Sequence, residues 1–307
     1  MPLKITRAID PITVDHVVVC LYAVPGIGKT STGYTASKPL LLDFDHGAYR
    51  SKNRRDTVLV DNWASVQDIT AADLDAFDTV VVDTAGRALD ALSTKIIADD
   101  PKMGRGGALT LQGYGRLKSD FIAWTKMLRS MGKDVVLLCH SDEQKSGDDL
   151  IERLDMQGGS KNEVYKSSDV MGRLYLHRGK RTLNFSPTDT SFGKNPAGMA
   201  PLEVPDFAKE PDFMAKVMAE VKAKLNELTA EQTAVAQAMD IYKTSFDAAT
   251  TAEELTGLIS LAKEAPEAIR RNVGLLLTHI AKGKGFALNK EAGRYETAEP
   301  AVASCSD

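Results

Sequence analysis

Residues 21–31, LYAVPGIGKTS, contain the side chains best suited to chemistry: a lysine and two hydroxyls directly after a glycine-rich turn. An apolar run precedes the turn, and a segment compatible with a helix follows it. Gly26 and Gly28 allow the backbone to curl, so that successive N–H groups point at one centre in front of a helix N-terminus. Such a centre binds phosphate groups, and the lysine adds positive charge to it.

The segment matches the phosphate-binding pattern G-x-x-x-x-G-K-[ST] except at its first position, where Ala23 replaces glycine. In this pattern the lysine bridges the β- and γ-phosphates of a nucleotide, and the following hydroxyl ligates Mg²⁺. The simpler interpretation is a Gly–Pro turn that carries a surface lysine, but the flanking strand and helix favour a nucleotide site. The residues expected to bind ATP with Mg²⁺ are Pro25, Gly26, Ile27, Gly28, Lys29, Thr30 and Ser31.

A carboxylate in the segment FDTVVVDTAG, residues 77–86, completes this prediction. Asp83 follows four residues of a strand-like apolar run, the place where a P-loop protein holds its Mg²⁺. An aspartate at a strand end also serves as a helix cap, so the prediction depends on its pairing with the glycine-rich loop. Thr30 and Asp83 are therefore expected to share the metal ion, and the chain is expected to be an ATPase.

Nearly continuous apolar runs alternate with longer mixed segments up to about residue 205. Such runs are typical of strands covered on both faces, as in a parallel sheet between helices. Helices are predicted at 86–98 and 111–131, and an edge hairpin is predicted to turn at Gly179–Lys180. Two glycine-rich charged stretches, 99–108 and 141–160, are predicted to be loops. The predicted strands lie at 16–22, 39–45, 57–60, 78–83 and 134–140.

The sequence becomes rich in alanine and lysine after residue 205. Capping boxes at Thr229–Gln232 and Thr251–Glu254 predict separate helices near 210–227, 230–247, 252–264 and 266–282. The predicted organisation is an α/β ATP-binding core over 1–205 and a small all-helical region over 206–286. Residues 287–307 lack periodicity and are predicted to be a disordered tail.

Composition restricts the possible partners. The formal net charge is −4, so no basic field surrounds the whole molecule, and any contact with nucleic acid must come from a local patch. The three cysteines, Cys20, Cys139 and Cys305, have no metal-ligand spacing. The sequence shows no apolar stretch of membrane-spanning length and no signal core, so a cytoplasmic protein that does not enter the membrane is expected.

The residues around Asp83 separate three branches of P-loop proteins, and two of these branches fit the sequence poorly. AAA+ machines carry Asp-Glu there, whereas Thr84 follows Asp83 in this chain. The segment DTAGR resembles signal-recognition-type GTPases, but no [T/N]-K-x-D segment is present to read guanine. A small-molecule kinase, a further alternative outside these three branches, would need an arginine-rich lid, which the predicted loops do not provide.

The third branch is RecA-like, and LLLDFDHGAY at 40–49 resembles the strand end that carries the catalytic glutamate of that family. The resemblance implies that Asp45 orients the attacking water, with Asp43 as the alternative carboxylate. The run VVLLCH ends where RecA-like proteins place a polar sensor of the γ-phosphate, which is His140 here.

Over residues 15–205 the chain resembles the compact phage RecA-like ATPases, the Sak-type single-strand annealing recombinases. This resemblance implies a RecA-like core with a mainly parallel sheet and a terminal hairpin. It also implies a homo-oligomer, ring or filament, in which Lys194 of SFGKNPAG reaches the γ-phosphate of a neighbouring subunit. Single-stranded DNA would contact cations of the two loops, which are Lys102, Arg105, Lys145, Arg153 and Lys161.

Two functions of different class follow from these observations. In the first, the protein is a DNA-stimulated ATPase of phage recombination or replication in the host cytoplasm, with a single-stranded DNA-binding protein as a possible partner. In the second, it is a nucleotide-gated switch that hydrolyses ATP slowly and holds a protein partner through its C-terminal helices. The ordered RecA-like segments favour the first function. The shorter Asp45 in place of glutamate, together with acids in both loops, favours the second.

Overall fold

The structure, a computed structural model, describes residues 3, 5–7, 9–146, 149–156 and 160–298; of residues 146, 149, 160 and 161 only the backbone is described. The described residues form two compact units, one within 14–226 and a smaller one made of those within 1–13 and 227–298. The strands are β1 (Val18–Ala23), β2 (Pro39–Asp43), β3 (Thr57–Leu59), β4 (Thr79–Asp83), β5 (Gly104–Arg105), β6 (Ala108–Leu109), β7 (Asp134–Ser146), β8 (Asp149–Leu154), β9 (Val170–His177), β10 (Lys180–Asn184), β11 (Leu202–Glu203), β12 (Phe286–Asn289) and β13 (Arg294–Thr297). The helices are α1 (Lys29–Gly33), α2 (Ala64–Gln67), α3 (Ala85–Asp99), α4 (Leu111–Ser130), α5 (Ser160–Ser167), α6 (Phe213–Ala248), α7 (Ala252–Lys263) and α8 (Glu267–Gly283).

A mainly parallel sheet forms the centre of the larger unit. Its strand order is β11-β10-β9-β1-β7-β4-β2-β3, and β8 pairs with the far part of β7. The neighbours β9-β1-β7-β4-β2-β3 are all parallel, whereas β10 and β11 continue the edge as antiparallel strands. The predicted α/β class, with a mainly parallel sheet and a terminal hairpin, is confirmed.

Helices cover both faces of this sheet because the strand side chains alternate between them. Val80 and Val82 of β4 pack in the cluster formed with α3 and α4, and Trp124 of α4 is buried there. Val81 points to the other face, where Met214 at the start of α6 belongs to the same cluster. All six residues of β1 are buried, so the segment before the glycine-rich turn is held on every side.

The strand and helix predictions for the core are confirmed within a few residues, with two corrections. The stretch 141–160, predicted to be a loop, is largely an antiparallel ribbon in which β7 extends to pair with β8. The stretch 99–108 contains the short hairpin β5–β6. Both stretches are mostly polar and contain few apolar residues, so they lack the apolar alternation by which a strand is recognised. The hydrogen bonds of the ladder order them.

The C-terminal part also differs from the prediction. The capping box at Thr229–Gln232 does not begin a helix, because α6 runs unbroken from Phe213 to Ala248. The capping box at Thr251 does begin α7, with both of its reciprocal hydrogen bonds formed. The larger unit ends at Asn226 rather than at residue 205.

The smaller unit has a core of its own. Phe246, Leu255, Val273 and Leu277 are buried there together with Tyr295. Tyr295 lies on β13, which pairs with β12, so the described residues from 287 onward begin as a hairpin rather than as a disordered tail. The predicted C-terminal helical region before this hairpin is confirmed by α6, α7 and α8. Cys305 and the rest of 299–307 lie outside the described residues.

Within the described chain, no helix combines the length and the apolar character that crossing a bilayer requires.

Candidate active site

The parallel arrangement brings the polar strand ends to one edge of the sheet. Ala23, the last residue of β1, is the register partner of His140 on β7. Asp83 at the end of β4 lies opposite Asp43 at the end of β2. Because these strands point the same way, the glycine-rich turn after β1 opens at the edge where the carboxylates and the histidine lie.

The turn has the curled backbone that the sequence predicts. Gly26 has φ 82° and Gly28 has φ 101°, both in the region that residues with a side chain rarely adopt. Gly28 is also the N-cap of α1, so the chain passes from the turn directly into a helix at Lys29. Ala23, which departs from the motif, is wholly buried in the core at the end of β1.

Lys29 is folded back onto its own loop. Its amino group donates to the carbonyl oxygens of Ala23 and Val24 at 3.0 Å each, and it lies 3.2 Å from Nδ1 of His140. Burial lowers the pKa of Lys29, and burial together with this lysine lowers the pKa of His140. A neutral imidazole is therefore favoured, and its Nδ1 can accept a hydrogen bond from the ammonium group.

Thr30 and Asp83 meet at the centre of the site. The hydroxyl of Thr30 donates to Oδ2 of Asp83 at 2.6 Å. Burial raises the pKa of Asp83 to about 6, and the nearby carboxylates of Asp43 and Asp45 act in the same direction. The peptide bond between Asp83 and Thr84 is cis.

This pair fits Mg²⁺. A hydroxyl and a carboxylate are the hard oxygen ligands that Mg²⁺ prefers, and it commonly takes only one or two protein ligands beside substrate phosphates and water. The described residues contain no cluster of three or more acidic, histidine or cysteine ligands, so they offer no complete protein cage for a metal. Thr30 and Asp83 would hold the ion only in company with phosphate oxygens.

The two alternative carboxylates differ in their surroundings. Asp43 is completely buried, and its two oxygens accept hydrogen bonds from the backbone N–H groups of Gly47 and Ala48 at 3.0 and 2.8 Å. Asp45 is half-buried and forms ion pairs with Arg50 at 3.2 Å and Arg87 at 3.6 Å. Asp43 thus shapes the loop, whereas Asp45 faces charged side chains at the site.

Ser31 is anchored by residues that the sequence analysis did not single out. Its hydroxyl lies 2.8 Å from the hydroxyl of Ser51, and its carbonyl oxygen accepts from the side-chain amide of Asn53 at 2.9 Å. Arg87 was also missed, although it ends the DTAGR segment. Polar loop residues have no spacing rule, so only the fold shows these partners.

Lys194 lies away from this cluster of strand ends. Its backbone bridges to Met171 of β9, and its amino group donates to the carbonyl oxygen of Ser168 at 2.5 Å, just past the end of α5. Within one chain it therefore caps a helix C-terminus. Its predicted action on a neighbouring subunit stays a prediction.

The five cations predicted to bind DNA fall into separate groups. Lys102 is exposed just before the β5–β6 hairpin, and Arg105 is exposed on the hairpin itself. Lys145 is exposed on the β7–β8 ribbon, and half-buried Arg153 of the same ribbon lies over the ring of Phe192. The side chain of Lys161 lies outside the described residues.

Comparison with known proteins gives one family match. Residues 15–197 match the model of a family described as AAA domain. The AAA+ branch was set aside in the sequence analysis because Thr84 follows Asp83, and the match shows that this difference does not exclude an AAA family. The search of curated proteins finds no match.

Two solved structures align with parts of the chain. The flagellar accessory protein FlaH of Methanocaldococcus jannaschii is 9% identical, with 55% of this chain and 77% of that chain covered and a TM-score of 0.34. A KaiC-like protein of Pyrococcus horikoshii OT3 is 13% identical, with 56% of this chain and 78% of that chain covered and a TM-score of 0.34.

Proposed function

Because the chain belongs to the AAA domain family, we propose that it hydrolyses Mg-ATP and acts on single-stranded DNA. The contact between Thr30 and Asp83 is the observation that carries the ATPase proposal. A hydroxyl and a carboxylate 2.6 Å apart, beside a curled glycine loop and a buried lysine, form a site for a metal-bound triphosphate.

Each residue of the site has a role in this proposal. The N–H groups of the loop and of the start of α1 bind the phosphates, and Lys29 exchanges its carbonyl partners for phosphate oxygens. Mg²⁺, when bound, neutralises phosphate charge. Asp45 orients the attacking water, which is supported by its half-buried position, whereas both oxygens of Asp43 are taken by backbone N–H groups.

Two further side chains are assigned by this proposal. His140 senses the γ-phosphate, since its imidazole already lies 3.2 Å from the Lys29 amino group. Lys194 supplies positive charge to the site of a neighbouring subunit in a homo-oligomer, ring or filament, as the RecA-like resemblance implies.

The DNA partner is proposed from the resemblance of residues 15–205 to Sak-type annealing recombinases. The work of the protein would then be strand annealing or pairing in phage recombination or replication, with a single-stranded DNA-binding protein as a possible partner. The cations exposed on the β5–β6 hairpin and the β7–β8 ribbon are suited to phosphate contacts.

Turnover of Mg-ATP by the purified chain, with and without a single-stranded oligonucleotide at low salt, tests the proposal. The rate is expected to rise when the oligonucleotide is added. Lys29→Ala is expected to abolish nucleotide binding, whereas the control Lys95→Ala, on the surface of α3, is expected to leave it unchanged. A variant at Lys29 that still binds ATP normally would contradict the site assignment.

The same experiment separates the alternative function. A rate that does not respond to DNA, in a protein that does not bind the labelled oligonucleotide, would favour the nucleotide-gated switch that holds a protein partner. The ion pairs of Asp45 with Arg50 and Arg87 are compatible with slow hydrolysis, because the guanidinium groups compete with a water molecule for the carboxylate oxygens.

A further inference from the structure

A cavity of about 530 Å³ lies beside the β7–β8 ribbon, apart from the residues that form the ATP site. Its lining includes the amides Gln144 and Asn162, the guanidinium group of Arg153, and the rings of Tyr165 and Phe192. This volume is within the range of small-molecule sites. These five residues come from four separate segments of the sequence, so no motif predicts the cavity.

Its aromatic side chains form a tilted, partly exposed pair. The ring centres of Tyr165 and Phe192 are 5.9 Å apart, with 59° between their planes. The guanidinium carbon of Arg153 lies 4.1 Å from the centre of the Phe192 ring. Tyr165 is 37% exposed and Phe192 is 38% exposed, so part of each side chain is accessible to a ligand that arrives from solvent.

The charges around the two aromatic rings favour an anionic ligand. Besides Arg153, the amino group of Lys194 lies 6.0 Å from the centre of the Tyr165 ring. Glu152 on the same ribbon is neutralised by an ion pair with Arg173 at 2.5 Å, while the exposed Asp142 lies opposite Arg153 in the ladder. Partly exposed aromatic rings, cations and amides together match a nucleobase joined to phosphates.

We propose that this cavity binds a base of single-stranded nucleic acid, an inference that rests on the DNA partner of the proposed function. The base stacks on the aromatic and guanidinium faces, the amides of Gln144 and Asn162 meet its polar edge, and Arg153 meets a backbone phosphate. Because the rings are partly exposed, a base within a long strand reaches them without threading an end.

Two direct connections join this cavity to the ATP site. The hydroxyl of Tyr22 donates to the carbonyl oxygen of Phe192 at 2.6 Å, and Tyr22 precedes Ala23, whose carbonyl oxygen binds Lys29. Strand β7 carries His140 at the ATP site and continues four residues to Gln144 at the cavity. A DNA strand held in the cavity therefore contacts two segments of the protein that also form the ATP site. These contacts are a physical route by which DNA can stimulate ATP turnover.

The experiment measures fluorescence anisotropy of a labelled oligothymidylate with the full chain at low salt. Phe192→Ala is expected to weaken binding by about 5- to 150-fold, the range for loss of one base stack. The control Tyr49→Ala removes a 74% exposed tyrosine that also carries an arginine over its ring, and it is expected to bind as the wild type does. Arg153→Gln, which keeps the ribbon backbone, is expected to weaken binding too.

An oligonucleotide of the same length with abasic sites identifies the recognised group. Phe192→Ala and the wild type are expected to bind it equally, because the phosphates remain and the bases are gone. Equal binding of both proteins to the normal oligonucleotide would overturn the proposal. A loss that is the same with abasic DNA would also overturn it, since the cavity would then recognise phosphate alone. Competition by free thymidine monophosphate as strong as that by the oligonucleotide would identify a mononucleotide site instead.

ATP turnover without DNA, measured in the same preparations, separates this inference from the proposed function. Phe192→Ala is expected to keep the wild-type basal rate. A wild type that hydrolyses ATP but binds no oligonucleotide would remove the DNA partner and the base site while the ATPase stands. A protein that shows the Phe192-dependent binding without any ATP turnover would retain the base site and remove the ATPase.

Discussion

The amino group of Lys29 and the carboxylate of Asp83 are each held in an environment that disfavours their charge. Both side chains are at least 95% buried, and burial shifts the pKa of each toward its neutral form. Such groups gain when a ligand supplies the missing charge. In the proposed function, a triphosphate would offer this to the lysine and a divalent metal would offer it to the aspartate, so the substrate itself would relieve the unfavourable burial.

Asp83 gives a prediction at this scale that can be checked without turnover. Its pKa is 3.8 ordinarily and about 6 in the folded chain, so between these values the folded state holds a proton that the unfolded state has lost. Its contribution to stability therefore falls as pH rises from about 4 to 6. Asp83→Asn is expected to stabilise the nucleotide-free protein at pH about 8 by on the order of 2 kcal/mol, with little gain below pH about 4.

Urea unfolding of the wild type and the variant at both pH values measures this difference. The matched control is Asp78→Asn, at a more exposed carboxylate whose hydrogen bond with Ser37 lowers its pKa, and no gain at high pH is expected there. The Asp83 variant is also expected to lose Mg²⁺-dependent ATP binding. Equal stability of the Asp83 variant and the wild type at the higher pH would contradict the raised pKa.

Replacement of each alternative carboxylate by asparagine separates the two candidates for water orientation. Asp45→Asn is expected to keep Mg-ATP binding and to lower kcat by about 10²- to 10⁴-fold, because it loses a base positioned for water. Asp43→Asn is expected to lower the free energy of unfolding by about 1–3 kcal/mol, since it weakens charge-assisted bonds to two buried N–H groups. Steady-state kinetics and urea unfolding of both variants provide the readout. Full turnover by Asp45→Asn would remove this residue from the mechanism.

At the scale of elements, the place where a helix begins in the C-terminal half depends on the surrounding sequence and not only on a capping box. The two Thr-x-x-Gln/Glu segments are similar, yet only Thr251 caps a helix, while Thr229 lies inside α6. A helix that continues through a possible N-cap keeps its backbone hydrogen bonds, which a break would give up. The flanking residues here are mostly alanine, lysine and glutamate, which favour continuation.

Proline at corresponding positions tests this difference. Ala230→Pro is expected to cost about 3 kcal/mol or more, because it removes a hydrogen bond inside α6 and clashes with the preceding turn. Ala252→Pro places the same residue at the first position of α7, where proline is tolerated, and is expected to cost little. Thermal unfolding followed by circular dichroism compares the two. Equal stability of both variants would mean that the chain breaks at Thr229 after all.

At the scale of the whole molecule, Lys194 can act in ATP hydrolysis only if the proposed oligomer brings it to the ATP site of a neighbouring subunit. In one chain Lys194 binds the carbonyl oxygen of Ser168 and lies beside Tyr165, away from Lys29 and Asp83. The assembly can therefore use this lysine for hydrolysis only at the site of another subunit. Helix capping within one chain is the competing role.

Mixing of variants distinguishes the two roles. Lys194→Ala is expected to lower turnover by about 10²-fold or more while the nucleotide affinity of the dilute protein stays nearly unchanged. A mixture with Asp45→Asn is expected to recover part of the activity, because some interfaces then combine an intact Asp45 with an intact Lys194. Lys180→Ala, at an exposed lysine that pairs with Glu203, serves as the control. Loss of turnover without recovery on mixing would assign Lys194 to its own chain.

The sequence by itself determined the α/β core and the centre of the ATP site. Apolar runs, conformationally free glycines and a lysine before a hydroxyl residue are local signals, since each depends on only a few consecutive residues. Only the tertiary structure decided that both oxygens of Asp43 are bound by backbone N–H groups whereas Asp45 pairs with Arg50 and Arg87, and that Tyr165 and Phe192 meet beside Arg153. It also decided that polar stretches form a ribbon and that α6 is unbroken. Those outcomes depend on contacts between distant parts of the chain, whose energies no short segment carries.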